Sequence, residues 1–235
     1  PQNVINVEVY LKAGGELLFT MFAISWFITL IFNPKIIRSN PIKARLGYNN
    51  LCVGFDTPPA SYIASVMCSY LSYIIITYVY LDTYRAYKLL EKEQYLKIKI
   101  LNGLYALSIC LFPLILMINP FVSYWWHTLI FVKLICTRYL AVLGNYLEAY
   151  YSNHIITKEQ WYFLYIYGLF SITFPTLIIT NYVIYDIQNR NGTDSPIPWW
   201  MTAFFDYGWF ICLAITSKYM PSGSLLMTNS YELVN

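Results

Sequence analysis

Trp161–Tyr185 reads WYFLYIYGLFSITFPTLIITNYVIY, a stretch without one charged side chain. A helix that crosses a bilayer needs about 20 mainly apolar residues at a rise of 1.5 Å each, and this stretch supplies them. Outward from it, five more stretches share its character: Glu16–Phe32, Tyr62–Leu81, Ile100–Ile118, Tyr124–Leu147 and Trp199–Tyr219. Backbone polar groups in lipid must bond within their own segment, so each stretch reads as a helix. A closed strand barrel would instead show short segments of alternating polarity. The expectation is an all-α polytopic membrane protein, a six-transmembrane-helix bundle forming one domain over residues 1–235.

Composition agrees, since 58% of the residues are hydrophobic and only 11% charged, against about 25% charged in an ordinary soluble domain. The connections expected between the first two helices (about 25 residues) and between the second and third (about 18) are too short to bury a core of their own. The net charge of +3 comes without a long basic run, which speaks against nucleic acid as a partner. Cys52, Cys68, Cys110, Cys136 and Cys212 show no paired spacing. They read as small buried hydrophobes, with neither a disulfide framework nor a metal site. The residues ahead of Glu16 include Glu8 and lack arginine, which fits neither a signal peptide nor a transit sequence.

Orientation follows from the lysine and arginine bias of the connections. Lys12, Arg85, Lys88, Lys92, Lys97, Lys99, Lys158 and Lys218 fall on one side, and Lys35, Arg38, Lys43, Arg45 and Arg190 on the other. Both termini are therefore expected on the matrix or cytoplasmic side. Asn191-Gly192-Thr193 is a glycosylation sequon on the opposite side. Trp125-Trp126, Trp161 and Trp199-Trp200 stand at helix starts, where amphipathic rings favour headgroup depth. Asn119-Pro120-Phe121 leaves little chain between the third and fourth helices, which makes them an antiparallel pair. Pro113 and Pro175 each remove a helical hydrogen bond and predict kinks.

The fourth helix carries His127, Lys133, Arg138, Asn145 and Glu148, and ionisable groups at membrane depth are costly. At 100° per residue His127, Arg138 and Asn145 lie within about 20° of one another, Glu148 about 60° away and Lys133 about 120° away. Arg138 requires a counter-charge, and Asp206 is the acid well inside another apolar stretch. The expectation is an Arg138–Asp206 approach, serving as an ion pair that fixes register, or as a site for an anionic lipid headgroup or a proton or ion relay. Tyr62, Tyr73, Tyr80, Tyr84 and Tyr87 lie within about 40° of one direction, a stripe suited to a partner helix or a lipid.

Two histidines cannot ligate several haems or a histidine-rich di-iron centre. No nucleophile elbow, phosphate-binding glycine loop or Cys-x-x-Cys pair is present. No catalytic residue, metal or cofactor is expected, and the lack of a convincing internal repeat speaks against a small transporter.

Gly54-Phe55-Asp56-Thr57-Pro58-Pro59, Tyr78-Val79-Tyr80, Tyr84-Arg85, Ile98-Lys99-Ile100-Leu101-Asn102, His127 and Asp206 are distributed in a way that resembles the six-helix DRAM family, the damage-regulated autophagy modulators, grouped with the FGF-receptor-activating-protein type of lipid-remodelling factor. Asp206 stands where that pattern has glutamate, and Lys133 and Arg138 depart from it. The resemblance implies an endomembrane protein linked to lipid remodelling or autophagy, with cytoplasmic termini and no established catalytic centre. A second expectation comes from the tail, residues 221–235, which has no reason to be ordered alone. It points to an accessory subunit of a larger membrane assembly, such as a respiratory or ATP-synthase complex of the mitochondrial inner membrane, with membrane lipids and other membrane-protein subunits as partners.

Overall fold

A computed structural model describes residues 3–118, 120–184, 197–221 and 226–228. Among these, six long helices follow the six apolar stretches: α1 (Glu8–Phe32), α4 (Ala60–Leu89), α5 (Lys92–Leu111), α7 (Tyr124–Tyr151), α8 (Lys158–Tyr182) and α9 (Trp199–Tyr219). Short α2 (Pro34–Arg38), α3 (Pro41–Leu46) and a 3-10 turn (Leu51–Phe55) lie between α1 and α4, and α6 (Leu114–Met117) follows α5. A short antiparallel pair joins β1 (Asn3–Ile5) to β2 (Leu226–Thr228), near the two ends of the chain. The sequon at Asn191 lies outside the described residues, as does most of the tail.

Five of the long helices, α5 counted together with α6, are long and apolar enough to cross a membrane. The remaining one, α9, has the length at 21 residues, but its three tryptophans and Asp206 lower its hydropathy. Several helices outrun the apolar stretches. α1 starts at Glu8 rather than Glu16, α4 ends at Leu89 rather than Leu81, and α5 starts at Lys92 rather than Ile100. Apolarity marks the part of a helix suited to lipid or core, whereas helical hydrogen bonding continues through Glu, Lys, Leu and Gln, which are good helix formers. The expected long connection between the second and third helices thereby shrinks to Leu90 and Glu91, and Glu91 forms a capping box with Gln94. Pro113 separates α5 from α6, whereas α8 runs on through Pro175.

Each long helix packs on the next in sequence, and α9 returns to α1. α1 and α7 meet across the interior, where Phe22 and Phe131 are 5.9 Å apart in edge-to-face contact. Trp209 of α9 stands 5.9 Å from Phe131 and 6.4 Å from Phe22, and Phe174 of α8 lies 6.3 Å from Phe131. Gly208 allows α9 this close to α8, since a Cβ there would lie 2.1 Å from the Phe170 ring.

The segment between α1 and α4, expected as a simple connection, folds back as a cap on one end of the bundle. Asn40 ties the segment together locally: its Oδ1 accepts from the Lys43 amide at the start of α3, and its Nδ2 donates to Asn49 Oδ1. The cap is clipped to α1 by Trp26 Nε1, which donates to the Leu51 carbonyl at 3.0 Å, and by Thr29 Oγ1, which donates to the Gly54 carbonyl at 2.6 Å.

Candidate functional site

A buried ion cluster sits at the end of the bundle opposite the cap. Leu71, Ile75, Tyr78, Asp82 and Arg85 fall on one buried stripe of α4, so the helical repeat carries a core face straight into two charged residues. The Arg85 guanidinium donates through Nε and Nη2 to the two Glu148 oxygens of α7 at 2.6 and 2.8 Å, through Nη1 to Glu8 of α1 at 2.6 Å, and through Nη2 to Asp82 at 2.8 Å. Asn102 of α5 donates to the second Asp82 oxygen at 2.7 Å, and Asn145 of α7 donates to Glu8 at 3.4 Å. Four helices are thereby tied through a planar group whose donors match carboxylates two at a time. Three carboxylates face one guanidinium, and the amides of Asn102 and Asn145 supply the further donors.

Of the expected intramembrane residues, His127, Arg138, Asn145 and Glu148 are all buried along α7, and Lys133, off their stripe, is only partly so. Arg138 and Asp206 do not pair. Arg138 Nη1 donates to the Tyr105 hydroxyl at 3.1 Å and Nη2 to the Leu11 carbonyl at 3.0 Å, with Tyr105 also presenting its ring at 5.7 Å. Gly15 makes room for the guanidinium, since a Cβ there would lie 2.7 Å from Nη2. Asp206 instead accepts from the Tyr48 hydroxyl at 3.2 Å, under the cap. The expected pair rested on each charge needing an opposite charge. Here a hydroxyl, a carbonyl and a ring face serve Arg138, and a capping residue from a connection serves Asp206.

The cluster's other members, Glu8, Asp82, Arg85 and Asn102, were not anticipated from the sequence. Arg85 was counted there for membrane orientation and as part of the Tyr84-Arg85 resemblance, not as a buried cation. The signal lay in register: Asp82 and Arg85 extend the Leu71–Ile75–Tyr78 spacing without a break.

At the cap end, His127 Nδ1 donates to the Ile118 carbonyl at 2.8 Å, and its Nε2 stands 3.3 Å from Asp56 Oδ1. Burial holds the Asp56 carboxyl well above the ordinary value of 3.8, and burial followed by the Asp206 charge raises the Tyr48 hydroxyl. For Asp56 the stabilising contribution is complete below 3.8, where folded and unfolded chains are both protonated. It declines as pH rises toward the folded value, because the unfolded chain releases its proton first, at about 1.4 kcal/mol per pH unit. Asp56→Asn is expected to flatten the fall of melting temperature with pH above 3.8. Melting curves across pH for both proteins check this, and identical slopes would contradict it.

The expected tyrosine stripe lies on the outside of α4. Tyr62, Tyr73, Tyr80 and Tyr87 are more than 60% exposed, and Tyr84 is half-buried. Tyr73 and Tyr80 border a groove of about 510 Å³ on α4. Beside it, α4 and α5 enclose a second groove of about 610 Å³, bordered by Tyr80, Tyr84, Tyr87, Tyr95, Lys99 and Gly103. Tyr70, one turn before Tyr73 and about 60° round the helix from it, is also 64% exposed. No family model matches this chain, and no curated protein and no solved structure is similar to it.

Proposed function

We propose that this chain is a non-catalytic six-span membrane protein that serves as an accessory subunit of a larger membrane assembly, with the outer face of α4 as its contact surface. Respiratory and ATP-synthase complexes of the mitochondrial inner membrane are the type of assembly meant, with the termini on the matrix side. The observation that carries this reading is the pair Tyr70 and Tyr73, 64% and 71% exposed near the middle of α4. At that depth lipid tails offer nothing to a hydroxyl, and an unmet hydroxyl in hydrocarbon costs several kcal/mol. A neighbouring helix that brings acceptors meets that need, and tyrosine combines apolar area with one polar contact. The interior supports the same reading, because a polar network tied across four helices suits a fixed scaffold.

A photo-crosslinking residue placed at position 73 in native membranes tests this. It is expected to yield one discrete adduct with another protein, whereas position 169, on the exposed face of α8, yields none. Equal, diffuse labelling at both positions would contradict the subunit reading and favour a free-standing endomembrane protein of the DRAM-like kind.

A further inference from the structure

The groove between α4 and α5 changes chemistry along its length. Near the α4–α5 turn it is bordered by Tyr84, Tyr87, Tyr95 and Lys99, and away from the turn by Ile76 and Gly103. Tyr87 and Tyr95 meet edge-on at 5.5 Å across its turn end. Two ammonium groups stand against its aromatic walls: Lys99 Nζ is 5.8 Å from the Tyr95 ring and Lys88 Nζ is 5.5 Å from the Tyr84 ring. The turn region holds four lysines, Lys88, Lys92, Lys97 and Lys99, against Glu91 and Glu93. At Gly103 the floor is open, since a Cβ there would meet nothing within 4 Å.

We propose that this groove binds one anionic phospholipid, with its phosphate at Lys99 beside the tyrosine hydroxyls and an acyl chain lying over Gly103. The polarity gradient matches the headgroup-to-tail order of a lipid entering from the side where the turn emerges. A volume of about 610 Å³ falls within the roughly 300–1,000 Å³ usual for small-molecule sites. The excess of lysine selects a negative headgroup, and lysines at the membrane surface draw anionic lipid. The floor also touches the ion cluster: Thr83, which borders the groove, accepts from Asn102 Nδ2 at 3.4 Å, and the same amide donates to Asp82. The proposal rests on the membrane-spanning reading, with the turn on the anionic face of the bilayer, and not on the identity of any protein partner.

The test uses the full chain in vesicles of equal phosphatidylglycerol and phosphatidylcholine, extracted gently and weighed intact with its retained lipid. Wild type is expected to keep one phosphatidylglycerol. Lys99→Gln should lower the preference for phosphatidylglycerol over phosphatidylcholine about fivefold, and Gly103→Leu should remove retained lipid of both kinds by filling the floor. Both positions are exposed, so both variants are expected to fold. Retained lipid that mirrors the bulk mixture and ignores both substitutions overturns the proposal. In native membranes, a protein adduct from a crosslinker at position 103, with no lipid retained, overturns it too while leaving the subunit reading intact. Failure of the chain to insert into vesicles would overturn the membrane reading and this site together.

Discussion

Arg85→Met is expected to lose roughly 3–5 kcal/mol of stability, because it strands Glu8, Asp82 and Glu148 in the interior without their shared cation. The cost is dominated by the carboxylates left behind rather than by the contacts removed. Adding Glu8→Gln and Glu148→Gln to the Arg85→Met chain should therefore restore much of the loss, since neutral amides are far cheaper to bury. Arg85→Lys should fall between, because an ammonium cannot bond both Glu148 oxygens, Asp82 and Glu8 at once. Thermal unfolding in detergent, followed by helical circular dichroism, reads all four chains. A stable Arg85→Met protein, or a triple variant no better than the single one, would show that the cluster does not hold the bundle.

Trp209→Ala is expected to cost roughly 3–5 kcal/mol, the range for truncating a large buried aromatic. Trp209 is fully buried between the rings of Phe22 and Phe131, and the backbone of α9 is already held tight against α8 by Gly208. The void therefore has little chance of closing by collapse. α9 is also the long helix that falls short of the apolarity for crossing a membrane which the other five reach, so its place depends chiefly on core packing. Proteolysis of detergent-solubilised protein should show early cleavage at both ends of α9 in the variant. An unchanged digestion pattern would contradict this placement of the tryptophan.

Six continuous apolar runs made the six long helices legible, and the short connection at Asn119-Pro120-Phe121 made the packing of α5 against α7 legible as well. The stripe of His127, Arg138 and Asn145 was readable because helical periodicity places one buried face regardless of what it meets. What that face meets was not readable. Arg138 is served by Tyr105, by a carbonyl of α1 and by the space at Gly15, and a sequence gives no sign of which carbonyl or hydroxyl lies opposite. The cluster around Arg85 was missed for a different reason. Glu8, Asp82 and Arg85 lie just beyond the apolar stretches, where hydropathy suggests solvated connections, yet their helices continue and keep the buried face turned inward. The cap over residues 33–59 was missed because its apolar residues, Val53 and Phe55 among them, complete the bundle's core rather than one of their own.

Gentle detergent extraction from native membranes followed by intact mass analysis tests the central claim most directly. The subunit reading predicts that this 27.5 kDa chain travels in a large complex at fixed stoichiometry and is released when Tyr70 and Tyr73 are both changed to leucine. A lone 27.5 kDa species, indifferent to those substitutions, would contradict it.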